Sequence, residues 1–240
     1  MTVSGKVALV TGGNKGIGFE VARQLAQLNH RVVIGSRDED RGRTAAEKLR
    51  SEGAEVSYVV LDVSNPESVA TAIQLIDQQH RWLDVLVNNA GTAQPEGPPS
   101  EVALDVLKRT YETNVFGLVA VTQAALPLLR RAEAGRIVNL SSGAGSLTVV
   151  SRPDWRPEWN GLAYNTSKSA VNAVTVAFAS ELRETPIKVN AVNPGYTRTD
   201  MSPGADRPVA QGAAVVVRYA VIPAAGPTGG FFDENGPIPW

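Results

Sequence analysis

Apolar residues gather in short unbroken runs separated by longer amphipathic stretches: "KVALV" (6–10), "RVVIGS" (31–36), "VSYVVLD" (56–62), "LDVLVNN" (83–89), "GRIVNLSS" (135–142) and "IKVNAVNPG" (187–195). A strand with one wet face alternates apolar and polar side chains. These runs do not alternate, which is what strands covered by helices on both faces require. The stretches between them carry helix-start signals, with Asn65 before Pro66 in "SNPES" and Ser100 in "PPSE". Six strands alternating with helices predict an α/β fold: a doubly wound (Rossmann-type), mostly parallel sheet flanked by helices on both faces, in a single domain spanning 1–240. Segments 91–100 and 151–161 read as exposed loops just after strand ends, on the carboxyl edge where such a sheet binds its ligand.

Composition narrows the class. A chain of 240 residues is long enough to bury a core and hold a ligand cavity. The formal net charge is −1 and neither half is strongly basic, so no electrostatic footprint for nucleic acid or an anionic membrane is expected. The absence of cysteine excludes disulfides, thiol catalysis and Cys-ligated metals, and fits a reducing compartment such as the cytoplasm. The opening "MTVSGKVALVTGG" has no signal-peptide character, and Arg218 interrupts the late apolar run "AAVVVRYAVIP". His30 and His80, the two histidines, stand apart at expected helix ends, where capping or surface roles suit them better than metal ligation.

The first strand runs into "VTGGNKGIG", with Gly12, Gly16 and Gly18 spaced Gly-x-x-x-Gly-x-Gly ahead of a helix. A pyrophosphate reaches backbone N–H groups at a helix N-terminus only where no Cβ intervenes, so this turn is a candidate phosphate cradle. Further on, Tyr164 and Lys168 lie four apart in a helical stretch and share one face. A phenol ordinarily titrates near ~10, and lowering it to ~7 takes roughly 4 kcal/mol, a demand that nearby positive charge such as the ammonium can help to meet.

The glycine turn, followed by "NNAG" at 88–91, "SS" at 141–142, "YNTSK" at 164–168 and "NPG" at 193–195, resembles the short-chain dehydrogenase/reductase family along essentially the whole chain. The Asn-Lys pair in the turn and the C-terminal "GGFFDENGPIPW" are most similar to the carbonyl reductases in that family. The resemblance implies that Tyr164 protonates a carbonyl oxygen while hydride arrives from the nicotinamide. Lys168 would hold the ribose and lower the Tyr164 pKa. The residues alone leave Ser141 and Ser142 open as the hydrogen bond to the substrate oxygen, and the family spacing favours Ser142. Asn114, in "YETNVFG", matches the position that supports a proton relay to the lysine. Cofactor contacts carried over in the same way are Gly12, Asn14, Lys15, Gly16, Ile17 and Gly18 in the turn. Asp62 and Val63 match the adenine contacts, with a helix-proximal cap as the alternative for Asp62. Asn88, Ala90 and Gly91 match the segment beside the adenine ribose, with a purely structural role as the alternative for Asn88, and Pro194, Gly195 and Thr199 match the nicotinamide end.

The residues just after the second strand decide the cofactor. NAD-binding sheets place an acid there to pair with the ribose hydroxyls, and this chain has Ser36 and Arg37. Arg37 can fork onto a 2′-phosphate, Ser36 can donate to it, and by resemblance Lys15 adds a second positive charge, so NADPH/NADP is expected. Asp38 and Glu39 are read as first-turn helix residues complementing the dipole. Between Ser142 and Tyr164 the segment "SRPDWRPEWNG" holds two of the four tryptophans. Trp155 and Trp159 either wall a pocket for a bulky or aryl small-molecule carbonyl substrate or anchor the loop. The segment is shorter than the insertion that allows some carbonyl reductases to be monomers, so a homo-oligomer is expected. Two rival functions remain open on sequence alone: a dehydrogenase oxidising an alcohol or sugar, and a non-catalytic NADP(H)-sensing module.

Overall fold

The computed structural model describes residues 5–155 and 161–240. Its strands are β1 (Val7–Thr11), β2 (Arg31–Ser36), β3 (Val56–Val60), β4 (Val85–Asn88), β5 (Arg136–Leu140), β6 (Lys188–Val192), β7 (Phe231–Asp233) and β8 (Gly236–Pro237). The main helices are α1 (Gly16–Gln27), α2 (Glu39–Ser51), α3 (Pro66–His80), α4 (Leu104–Tyr111), α5 (Leu118–Leu129), α6 (Leu147–Val150), α7 (Leu162–Glu181) and α8 (Val209–Ala220). All eight strands form one sheet in the order β3-β2-β1-β4-β5-β6-β7-β8, parallel except for the β7–β8 pair. The six expected strands and the doubly wound arrangement are present. β7 and β8 lie outside that expectation, because three residues of "FFD" and two of "GP" are too short to carry a strand pattern.

Strand alternation divides the core in two. Val7, Leu9, Val33 and Leu86 face one cluster, which includes Ile73 and Ile76 of α3, Val121 and Ala125 of α5, and Phe178 of α7. Ala8, Val10, Ile34 and Val87 face the other, with Val21 and Leu25 of α1, Leu49 of α2 and Val216 of α8. The strand order reverses between β1 and β4, which opens a crevice beyond their carboxyl ends.

Asn65 caps α3 as expected, its Oδ1 accepting the amides of Glu67 and Ser68 at 2.9 and 3.2 Å. Ser100 does not cap the next helix. The prolines before it favour a short 3₁₀ turn over Pro99–Glu101, and α4 begins at Leu104 without a side-chain cap. Helix α4 runs through a π-helical segment, Glu112–Gly117, into α5. This continuous helix, Leu104–Leu129, is long and apolar enough to span a bilayer by length and composition, but much of it is buried within the protein.

The histidines differ from expectation. His30 is buried, with Nδ1 3.2 Å from the Leu28 carbonyl, and among the described residues neither its Nε2 nor the two buried ring nitrogens of His80, at the end of α3, have a hydrogen-bond partner. Burial lowers both pKa values below the usual 6.5, with Arg31 also lowering that of His80. A histidine held neutral in the fold binds its proton more readily once unfolded, so stability present above about pH 6.5 is lost as pH falls below it. We expect the melting temperature to decline between pH 7 and pH 5.5, and the decline to be shallower in His30→Gln with His80→Gln. An equal slope in the double variant would assign the loss to other groups.

Candidate active site

The glycine turn arises from the chain's need to leave β1 and enter α1 within a few residues. Gly12 and Gly16 have φ of +61° and +56°, a left-handed geometry that an L-side chain strains to adopt. Gly18 serves packing: a Cβ there would collide with Asn89 Nδ2 and lie 2.6 Å from the Gly12 carbonyl. Asn89 is the tie, donating to the carbonyls of Thr11 and Gly12 at 2.8 and 3.1 Å. This holds the turn against the end of β4.

A cleft of about 760 Å³ extends from this turn across the strand ends. Asn14, Lys15, Gly16 and Ile17 line it with Gly12, and Ser36 and Arg37 line it at the end of β2. Asp62, Val63, Ala90 and Gly91 form its middle, and Tyr164, Lys168, Pro194 and Thr199 its far end. Gly18 and Gly195 act outside the lining, Gly195 as a positive-φ turn residue beside Arg207. The Asp62 carboxylate is engaged locally, accepting from the Ser64 amide and hydroxyl at 3.0 and 2.6 Å.

Asn88 does not reach the cleft. As the last residue of β4 its side chain points into the sheet, donating to Asn139 Oδ1 and Thr122 Oγ1 at 2.9 Å each, in a buried polar layer that continues from Asn139 to Thr175. Its structural alternative is the one realised, and Asn89 faces the cleft in its place. Asn114 is also behind the wall. Its amide brackets Thr92, accepting from the Thr92 N–H at 2.8 Å and donating to the Thr92 carbonyl at 2.9 Å, and it donates to Ser167 Oγ at 3.0 Å.

At the far end the Tyr164 side chain lies beside Ser142, whose hydroxyl accepts from the Ala144 amide at 3.2 Å. Ser141 instead donates to the Lys168 carbonyl at 3.3 Å, a structural contact. The buried Lys168 ammonium donates to the Leu140 carbonyl at 2.8 Å and lies 5.6 Å from the Tyr164 ring centroid. Burial lowers its pKa to about 8. Burial raises the Tyr164 pKa, and the Ser142 side chain opposes the rise.

The Ser36 end of the cleft is organised by contacts within the protein. Ser36 is buried and donates to the Asp38 carbonyl at 2.7 Å, so its hydroxyl is spent on the backbone. Asp38 caps α2 by accepting from the Arg41 amide at 2.9 Å, with Glu39 and Asp40 in the first turn, which holds the acids at the helix start. Lys15 forms an exposed ion pair with Asp200 at 2.7 Å. Arg37 is exposed and has no hydrogen-bond or ion-pair partner among the described residues. Arg41, one turn into α2, also lines the cleft; its guanidinium approaches Asp38 at 3.7 Å and acts electrostatically on Asp200. The spacing of Arg37 and Arg41 across a helix start was the available signal for this second cation. Trp155 ends the turn after α6, and Trp159 lies outside the described residues.

A doubly wound sheet with a glycine-cradled cleft and a Ser-Tyr-Lys cluster at its far end defines a dinucleotide-dependent oxidoreductase. The short chain dehydrogenase family model matches residues 6–209, and the chain belongs to that family. It is 33% identical to carbonyl reductase [NADPH] 1 of Mus musculus, with all of both chains covered, and 34% identical to salutaridine reductase of Papaver bracteatum over 95% of this chain and 94% of the relative. Among solved structures, NADPH-bound carbonyl reductase from chicken fatty liver superposes with a TM-score of 0.87 at 26% identity, covering 99% of this chain and all of the other.

Proposed function

We propose that the protein is an NADPH-dependent carbonyl reductase that converts a ketone or aldehyde to an alcohol. The observation that carries this reading is the Tyr164 phenol beside Ser142 with Lys168 on the same helix face, at the end of a cleft whose other end presents Arg37 and Arg41. The names of its relatives point the same way. The turn fits a dinucleotide: positive φ at Gly12 and Gly16 leaves the backbone open where a Cβ would obstruct a pyrophosphate, and Lys15, the residue before α1, makes no side-chain cap. Arg37 and Arg41 would hold a 2′-phosphate and Lys168 the nicotinamide ribose. The bound cofactor supplies hydride.

Tyr164 supplies the proton. Its O–H bond breaks as the substrate oxygen, held by Ser142, takes the proton and the carbonyl carbon becomes tetrahedral. The phenol carries its proton at neutral pH, and the Lys168 ammonium together with the bound cofactor's positive charge would bring its acidity toward the operating pH. Lys168 stabilises the phenolate left behind. We further propose a bulky or aryl substrate, supported by the exposed Met201 in the cleft wall. The test is a panel of ketones, aldehydes and quinones assayed with NADPH and with NADH. Reduction of aryl carbonyls with NADPH is expected, and no turnover across the panel would overturn the reading.

A further inference from the structure

Helix α7 carries Tyr164 in its first turn yet lacks the usual means of starting a helix. Gly161 at its N-cap offers no side-chain acceptor, and the first turn has no acid. The first amides of a helix have no partner within it, and those of Ala163 and Tyr164 are among them. Both are satisfied from far along the chain. Glu96, in the segment after β4, accepts from the Ala163 amide through Oε2 at 2.7 Å and from the Tyr164 amide through Oε1 at 3.0 Å. A carboxylate held by two N–H groups also lies where the helix dipole favours negative charge.

Glycine at 161 is consistent with this arrangement. A Cβ there would lie 3.1 Å from Glu96 Oε1, so the carboxylate takes the space a local cap would use. The segment that supplies Glu96 is held a second time by the Asn114 bracket on Thr92, and Asn114 reaches α7 through Ser167. Thr92, Ala93 and Gln94 line the cleft. One stretch of chain therefore forms part of the cleft wall and sets where the helix bearing the phenol begins.

We propose that Glu96 is a positioning residue that fixes the first turn of α7, and with it the height of the Tyr164 phenol over the cleft. This rests on Tyr164 being the proton donor. A general acid works only within hydrogen-bond reach of its target, and an error of about 1 Å in placement can cost as much as ~100-fold in rate. Loss of a cap frays one turn rather than the whole helix, so we expect a smaller effect, about tenfold.

The experiment compares wild type, Glu96→Ala, Glu96→Gln, and Glu96→Ala combined with Gly161→Ser. The last restores a local cap at a residue whose φ of −95° and ψ of 114° suit one. Amide hydrogen exchange at Ala163 and Tyr164, read by NMR, reports the capping without any turnover. kcat and KM for NADPH, with 4-nitrobenzaldehyde as the carbonyl probe, report its consequence. In Glu96→Ala, exchange at both amides should quicken about tenfold and kcat should fall about tenfold, with KM for NADPH within about twofold of wild type. Glu96→Gln should fall between the two, and Gly161→Ser should recover most of both losses. Unchanged exchange in Glu96→Ala overturns the proposal, as does a Gly161→Ser that restores exchange protection and leaves kcat at the level of the single variant. If wild type reduces none of the panel, the proton-donor reading fails by itself, and the exchange measurement still decides whether Glu96 holds the start of the helix.

Discussion

Tyr164→Phe is expected to lower kcat by more than about 100-fold while leaving NADPH binding within about threefold of wild type. General-acid catalysis by a positioned side chain contributes roughly 10²- to 10⁴-fold, and this variant removes only the donor oxygen. The ring remains between the cleft and α7, so the cofactor pocket keeps its wall. Ser142 keeps the Ala144 amide. Lys168 keeps its bond to the Leu140 carbonyl and, with it, its position for the ribose. Single-turnover reduction of an aryl aldehyde, with NADPH affinity measured by fluorescence titration, separates the two effects. Retention of a tenth of wild-type turnover would remove Tyr164 from the proton-donor role.

Arg37→Asp should reverse or erase a preference for NADPH over NADH. Removing one partner of a close charge pair costs about 2–5 kcal/mol, and the exposure of this site argues for the lower end, near 30-fold in kcat/KM. Two features of the structure sharpen this expectation. Arg37 has no ion-pair partner among the described residues, and Asp38 accepts from the Arg41 amide at the cap of α2. Ser36 cannot compensate, because its hydroxyl already donates to the Asp38 carbonyl. Arg41 remains in the variant and should preserve part of the phosphate affinity, so the shift is expected to deepen in Arg37→Asp combined with Arg41→Ala. kcat/KM with each cofactor checks both. A wild type that prefers NADH, or a variant whose preference does not move, would show that Arg37 does not read the phosphate.

The amino-acid sequence by itself determined the six long strands, the doubly wound arrangement and the order of the motifs. These come from local pattern: unbroken apolar runs require cover on both faces, and glycine spacing fixes where backbone can turn. It also brought Tyr164 and Lys168 onto one face, since a separation of four residues does so in any helix. The edge strands β7 and β8 escaped it because their stability comes from pairing with a sheet already formed. Tertiary structure alone decided which of two adjacent asparagines serves the cleft. Asn88 ends a strand whose pleat turns it toward Thr122 and Asn139, and Asn89, one residue on, falls at the turn. It alone paired Lys15 with Asp200 across 185 residues of chain, and it alone joined Glu96 to the helix of Tyr164 across 67 and 68 residues. A hydrogen-bond partner that far away leaves no local pattern, because a single side chain has no period and only the folded sheet brings the two segments within 3 Å of each other.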